Sequence, residues 1–222
     1  MPHRGVLVVR YIEGRTLAEA DLRTLLELIV PMLSTCRRDV GKHLAGPALS
    51  FRVFHVIRYY ARTLRADRAK SERDLASYVA LADALEAQQA PLPIVFGHHD
   101  LLPGNLIDDG TRLWLIDREY GGLGTAMFDL ANLATSGRYS EDDDCRLLET
   151  YFQQPVSDDV QRSFDAMKVA SALREALWGL VSSIRLSAPG ADYATHAAEY
   201  FARTDAALDR HVQRHGVLRA PA

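Results

Sequence analysis

Apolar residues recur at helical spacing from Leu17 to about Leu33, with Thr16 in the N-cap position, and predict a first helix. Before it, Val6 to Ile12 is a short β-branched run ending at Glu13-Gly14, the pattern of a strand entering a turn. Residues 41–54, with Gly41, Gly46 and Pro47, predict a loop. Helices over roughly 55–65 and 71–89 follow, the second with Ser71 as its cap and Glu72 and Asp74 in its first turn. Pro91 and Pro93 close that helix, and the period then changes. Ile94-Val95-Phe96, Asn105-Leu106-Ile107 and Leu113 to Ile116 predict three short strands, the last two joined by a turn at Asp108-Asp109-Gly110. After a Gly121-Gly122-Leu123-Gly124 loop, helical spacing returns over about 126–135, 140–152, 159–186 and 191–213, interrupted at Pro155 and Pro189-Gly190. The fold class is α+β and mostly helical, with a small β insert at its centre.

Composition narrows the classes without choosing among them. The 222 residues suit one large domain, or a domain with a small appendage, and 48% hydrophobic with 25% charged residues is ordinary for a globular chain. A net charge of −3 gives no support to a nucleic-acid or membrane-surface partner. The arginines are dispersed over several predicted helices and read as solvated faces. Cys36 and Cys145 lack the paired spacing of a disulfide framework or a thiolate zinc site, which favours a reducing cytoplasm. No apolar run reaches the ~18 residues of a membrane span. Met-Pro-His-Arg-Gly at the start lacks the apolar core of a signal peptide, so a cytoplasmic location is expected.

The chemistry concentrates between the predicted strands. Gly97-His98-His99-Asp100-Leu101-Leu102-Pro103-Gly104-Asn105, followed by Leu113-Trp114-Leu115-Ile116-Asp117, sets an Asp, an Asn five residues on, and a second Asp closing an apolar strand. That is the layout of a kinase catalytic loop and its metal-binding strand. Asp100 can take a proton from a hydroxyl, and Asn105 and Asp117 can hold the Mg2+ that carries nucleotide phosphates. His98, two residues before Asp100, can brace the loop against a backbone carbonyl or a carboxylate. Glu141-Asp142-Asp143-Asp144 after Ser140 reads as a solvated helix N-terminus, not a metal site.

Val95 to Asn105 resembles the catalytic motif of the choline/ethanolamine kinase and aminoglycoside phosphotransferase superfamily, whose members share the protein-kinase-like fold. Leu115-Ile116-Asp117-Arg118-Glu119-Tyr120-Gly121-Gly122, then Phe128-Asp129-Leu130-Ala131-Asn132, and Ala176-Leu177-Trp178-Gly179-Leu180 are similar to its choline-kinase branch. The resemblance implies the C-terminal, large lobe of that fold over residues 16–222. Residues 1–15 would be a remnant of the small lobe's edge strand and the interlobe hinge. It implies ATP and Mg2+ as cofactors, adenine against the backbone of Arg10, Tyr11 and Ile12, and Glu119 in or beside the acceptor pocket. Val8 to Arg15 resembles the hinge itself, so the glycine-rich phosphate loop, the phosphate-binding Lys and its Glu partner would fall upstream of Met1. The expectation is a truncated gene product or gene model.

Choline-type acceptors carry a quaternary ammonium, which aromatic faces and carboxylates recognise. Trp178, Tyr193 and Tyr120 are the candidates for such a cage, with Glu119 or Asp100 supplying charge; Trp178 reads equally well as a core residue. Ala134 to Tyr139 lacks the acidic residue that choline kinases tend to carry there, which leaves another amino alcohol, thiamine or an aminoglycoside open as acceptor. Two readings compete with the kinase. One is a catalytically inactive lobe kept as an interaction module. The other is a metal-dependent phosphohydrolase built on His98-His99-Asp100 with Asp117. The oligomeric state is unassigned.

Overall fold

The structure, a computed structural model, describes residues 8–67, 75–187, 190 and 192–218. Val6 and Leu7, the Ser71 to Asp74 helix start, and Pro189 lie outside the described residues. The elements run β1 (Arg15–Thr16), α1 (Glu19–Thr24), α2 (Leu26–Val40), a 3-10 turn at Gly41–His43, α3 (Val53–Ala66) and α4 (Leu75–Glu86). Then come β2 (Ile94–Gly97), a 3-10 turn at Pro103–Asn105, β3 (Leu106–Asp108), β4 (Leu113–Leu115) and β5 (Gly122–Thr125). The helices α5 (Ala126–Ser136), α6 (Glu141–Phe152), α7 (Asp158–Arg185) and α8 (Tyr193–His215) complete the chain. The mostly helical α+β architecture agrees with the sequence.

The core is built on α7. Phe164, Val169, Ala170, Leu173, Ala176 and Leu177 on it are fully buried, and α8, α5 and α3 pack around it. A helix buried on nearly every side, as α7 is between Ser163 and Leu177, belongs at the centre of such a layer. Two small antiparallel sheets join the helices, one ordered β1-β3-β4 and the other, packed on α2 and α5, pairing β2 with β5.

Several boundaries differ from the sequence expectation. Residues 8–13 form no strand. Val8, Val9 and Tyr11 are 87%, 72% and 83% exposed, and without a neighbouring strand a β-branched run has nothing to pair with. The short strand falls instead at Arg15–Thr16, where Arg15 pairs Asp108 and Thr16 pairs Ile107. Thr16 therefore caps no helix. The cap is Ala18, whose N–H is taken by the Asp21 carboxylate at 2.7 Å. The predicted single helix breaks at Leu25, and α2 then carries Pro31 in its interior and continues to Val40 because Ile29, Val30, Leu33 and Arg37 face the interior.

The glycine run also departs from expectation. Gly122 to Thr125 is a strand, paired residue for residue with Gly97 back to Ile94. The loop before α3 runs along its other edge, with Leu123 N donating to Leu49 O at 2.7 Å and Phe51 N to Leu123 O at 2.9 Å. A Cβ on Gly122 would lie 2.5 Å from Leu49 O, and one on Gly124 2.7 Å from His99 Nε2. Glycine is what lets three backbones and a buried imidazole approach so closely. Not all arginines are solvated: Arg37 and Arg174 are 7% and 1% exposed. Nor is the acidic run at α6 wholly so. Ser140 caps the helix through Asp143 N at 3.2 Å, but Asp144 is buried in an ion pair with Lys168.

Candidate active site

The loop between β2 and β3 hangs from α5. Asp129, buried in the first turn of α5, accepts the His98 N–H at 3.0 Å and the His99 N–H at 2.7 Å. One turn on, Asn132 accepts the Leu101 N–H through Oδ1, and its Nδ2 donates to Ser171 Oγ at 3.3 Å on α7. Burial works against the Asp129 charge. The Arg37 guanidinium 3.4 Å away, His99 and the two loop N–H groups more than offset it, and hold this carboxyl below its ordinary range. The loop is thus fixed by hydrogen bonds to charged and amide side chains on a packed helix.

Both histidines are committed inside the loop. His98 Nε2–H donates to Ile116 O at 2.8 Å, and His99 Nδ1–H donates to Tyr120 O at 3.1 Å. The His99 ring stacks on Phe51 with centroids 4.4 Å apart, and burial lowers its proton affinity. His99 has φ 64°, in the left-handed region, a costly conformation held here by its two anchors. The second nitrogen of each ring, His98 Nδ1 and His99 Nε2, is buried without a partner, but among the described residues no three His, Cys, Asp or Glu side chains gather as a metal-dependent phosphohydrolase would need.

Asp100 and Asn105 face each other across the turn that Pro103 and Gly104 make. Asn105 Nδ2 donates to Asp100 Oδ2 at 2.9 Å and to Asp100 O at 2.8 Å. With the amide nitrogen so used, the Asn105 side-chain oxygen is the end turned away from Asp100, available to a cation. Asp117 follows directly: Ile116 N donates to Asn105 O at 3.0 Å while Ile116 O accepts from His98. Asp117 leaves β4 at φ 56°, a conformation Asp tolerates, and its side chain is exposed. Asp100, Asn105 and Asp117 are therefore linked through a single residue, Ile116, and one imidazole. An amide oxygen and an exposed carboxylate are hard donors that suit Mg2+.

Arg174 on α7 reaches the opposite side of Asp100, with NH1 3.4 Å from Oδ1, and its guanidinium lies 4.7 Å from the centre of the Tyr120 ring. Burial pushes the Tyr60 hydroxyl up to about 12, so it stays protonated beside Tyr120. Next along α7, Glu175 pairs with Arg174 and lies 3.5 Å from His196 Nε2. Trp178 packs edge-on against Tyr193 at 5.7 Å and against His196 at 5.4 Å, and His196 meets Tyr200 at 4.6 Å. Trp178 and Tyr193 are half-buried, and Trp178 also packs against the hydrophobic core. Glu119 is exposed and makes no hydrogen bond or ion pair with the described residues. Arg10 and Tyr11 are exposed and Ile12 is half-buried, in irregular chain.

Sequence reasoning missed Arg174, Glu175 and His196. The sequence shows Asp129 and Asn132 in a recognisable segment but not what they hold. An Arg-Glu pair immediately before Ala-Leu-Trp, on a helix otherwise rich in Ala and Leu, was the available signal.

Residues 3–168 match the sequence profile of the phosphotransferase enzyme family. Among curated proteins, Protein LicA of Haemophilus influenzae is 31% identical over 91 residues, 40% of this chain and 34% of that protein. A probable ethanolamine kinase of Arabidopsis thaliana is 31% identical over 110 residues, 41% of this chain and 29% of that protein. The matches thus span about a third of those relatives or less. Among solved structures, a choline/ethanolamine kinase family protein from Mesorhizobium loti superposes with a TM-score of 0.75 at 25% identity, over 97% of this chain and 75% of that one. The choline kinase LicA from Streptococcus pneumoniae has a TM-score of 0.70 at 24% identity, over 90% of this chain and 69% of that one, and shows a shared fold. With the family profile matched over most of its length, this chain belongs to the phosphotransferase enzyme family.

Proposed function

We propose that the chain carries the base, the cation-holding oxygens and the acceptor wall of a phosphotransferase that moves the γ-phosphoryl group of ATP to the hydroxyl of a small amino alcohol, choline or a close relative. The observation that carries this reading is the continuity of the site. Asp100 is tied to Asn105 on one side, and on the other its neighbour Arg174 leads along α7 to Glu175 and the Trp178, Tyr193 and His196 rings.

In this reading Asp100 accepts the proton of the acceptor hydroxyl as its oxygen attacks the γ-phosphorus, and the nucleoside diphosphate leaves. Asn105 and Asp117 would hold Mg2+, which when bound neutralises nucleotide phosphate charge. His98 keeps the two cation-holding positions and the base in one frame. The ammonium of the acceptor would rest against Trp178 and Tyr193, with the buried Glu175 carboxylate supplying negative charge. Glu119 would stand at the rim, and Tyr120 would form the floor under Arg174. Residues 16–222 would be the large lobe. Residues 1–15, with the backbone of Arg10, Tyr11 and Ile12 exposed for adenine, would be the interlobe edge. LicA, which shares this fold, has been solved in complex with AMP, and that supports a nucleotide here.

The reading is tested by turnover of Mg-ATP with choline, ethanolamine and the neutral isostere 3,3-dimethylbutan-1-ol. Choline should exceed the neutral alcohol by roughly tenfold in kcat/KM, the order of a desolvated cation–π contact. Removing divalent metal with a chelator should abolish turnover, and Mg2+ should restore it. Equal use of the neutral alcohol would refute the cationic acceptor. Turnover that survives chelation would refute the task given to Asn105 and Asp117.

A further inference from the structure

Arg174 is among the largest fully buried side chains of the described protein, at 1% exposed, and its Nε and NH2 have no hydrogen-bond partner among the described residues. Burying a guanidinium is costly and is tolerated where its surroundings fix it. Here Glu175 holds it from its own helix and the Tyr120 ring covers its face at 4.7 Å. What it then meets is the Oδ1 atom of Asp100 at 3.4 Å. The other oxygen of that carboxylate belongs to Asn105, at 2.9 Å. The plane of the carboxylate is therefore set from two sides, by the loop through Asn105 and by α7 through Arg174. The same helix carries Trp178 one turn further on, so base and acceptor wall share one rigid support.

Resting on the functional reading above, we propose that Arg174 is a positioning residue for phosphoryl transfer: it orients the Asp100 carboxylate toward the hydroxyl of an acceptor seated against the same helix. The planar guanidinium is essential, because an ammonium at this place supplies charge but cannot both lie flat on Tyr120 and direct a fixed N–H at Asp100. Lysine keeps a positive charge beside Glu175, so the Arg174→Lys exchange acts on the geometry of attack and not on acceptor binding.

The test is steady-state kinetics with choline and Mg-ATP on the full chain, as wild type, Arg174→Lys and Arg174→Ala, with thermal unfolding measured on each. Arg174→Lys should stay folded and lose about 100-fold in kcat, the scale of a base displaced by an ångström. KM for both substrates should hold, the pattern of a contribution made only on the way to the transition state. Added guanidinium should restore part of kcat to Arg174→Ala. Unchanged kcat in Arg174→Lys, a rise in KM alone, or a loss that only tracks the folded fraction of both variants would overturn the proposal. If the wild type phosphorylates no alcohol, the functional reading fails first and takes this inference with it.

Discussion

Asp129 shows how one side chain can govern a site it does not enter. It is buried, it accepts two consecutive loop N–H groups, and Arg37 balances its charge. Asp129→Ala would leave Arg37 unpaired in the interior and two N–H groups without acceptors. The expected cost is about 3–5 kcal/mol, read as a lower midpoint in denaturant titration. Because folding lowers the proton affinity of Asp129, its contribution is fully present above the ordinary carboxylate pKa of about 3.9. It is lost as acid takes the pH down through the lower folded value. Asp129→Asn should therefore flatten the acid side of the stability–pH curve, and an unchanged slope would show that Asp129 is not ionised in the fold. None of this was legible in the sequence, since 30 residues separate Asp129 from His99. Arg174 was hidden differently: a long polar residue within a helix reads as a solvent face until the packing around all sides of α7 is known. Asp100, Asn105 and Asp117 could be picked out because their spacing is local and short connections leave few ways to arrange them.

At the scale of elements, the helices α5 to α8 were readable to within about two residues at either end. For α6, Ser140 and the acids behind it mark the start as the structure has it. Elements whose existence depends on distant neighbours were not. The strand at Gly122–Thr125 carries almost no intrinsic β preference, and it exists because β2 and the Leu49–Phe51 segment flank it. Gly122→Ala would drive a methyl into the Leu49 carbonyl, and neither backbone can yield without breaking its pairing. We expect about 1–3 kcal/mol of destabilisation, the range for overpacking, in thermal or chemical unfolding. An unaffected midpoint would mean that the strand and the loop are not in contact. Pro31 inside α2 makes the same point: local preference ends a helix there, whereas the buried face formed by Ile29, Leu33 and Arg37 carries it through.

For the molecule as a whole, the mostly helical layer around α7 and the small sheets beside it leave the β2–β3 loop where α5 and α7 both reach it. That convergence brings the motif together with two helices: α5 fixes the loop's backbone, and α7 presents the guanidinium at Asp100 and, one turn on, Trp178. The central claim is that the Asp100 carboxylate takes the acceptor proton during transfer from ATP. The most direct test follows ATP and choline by phosphorus NMR at equal concentrations of folded wild type and Asp100→Asn. The account predicts a growing phosphomonoester signal with the wild type and a rate lower by at least about 100-fold in the variant, the smallest loss expected for a general base. Equal rates from the two proteins would contradict it.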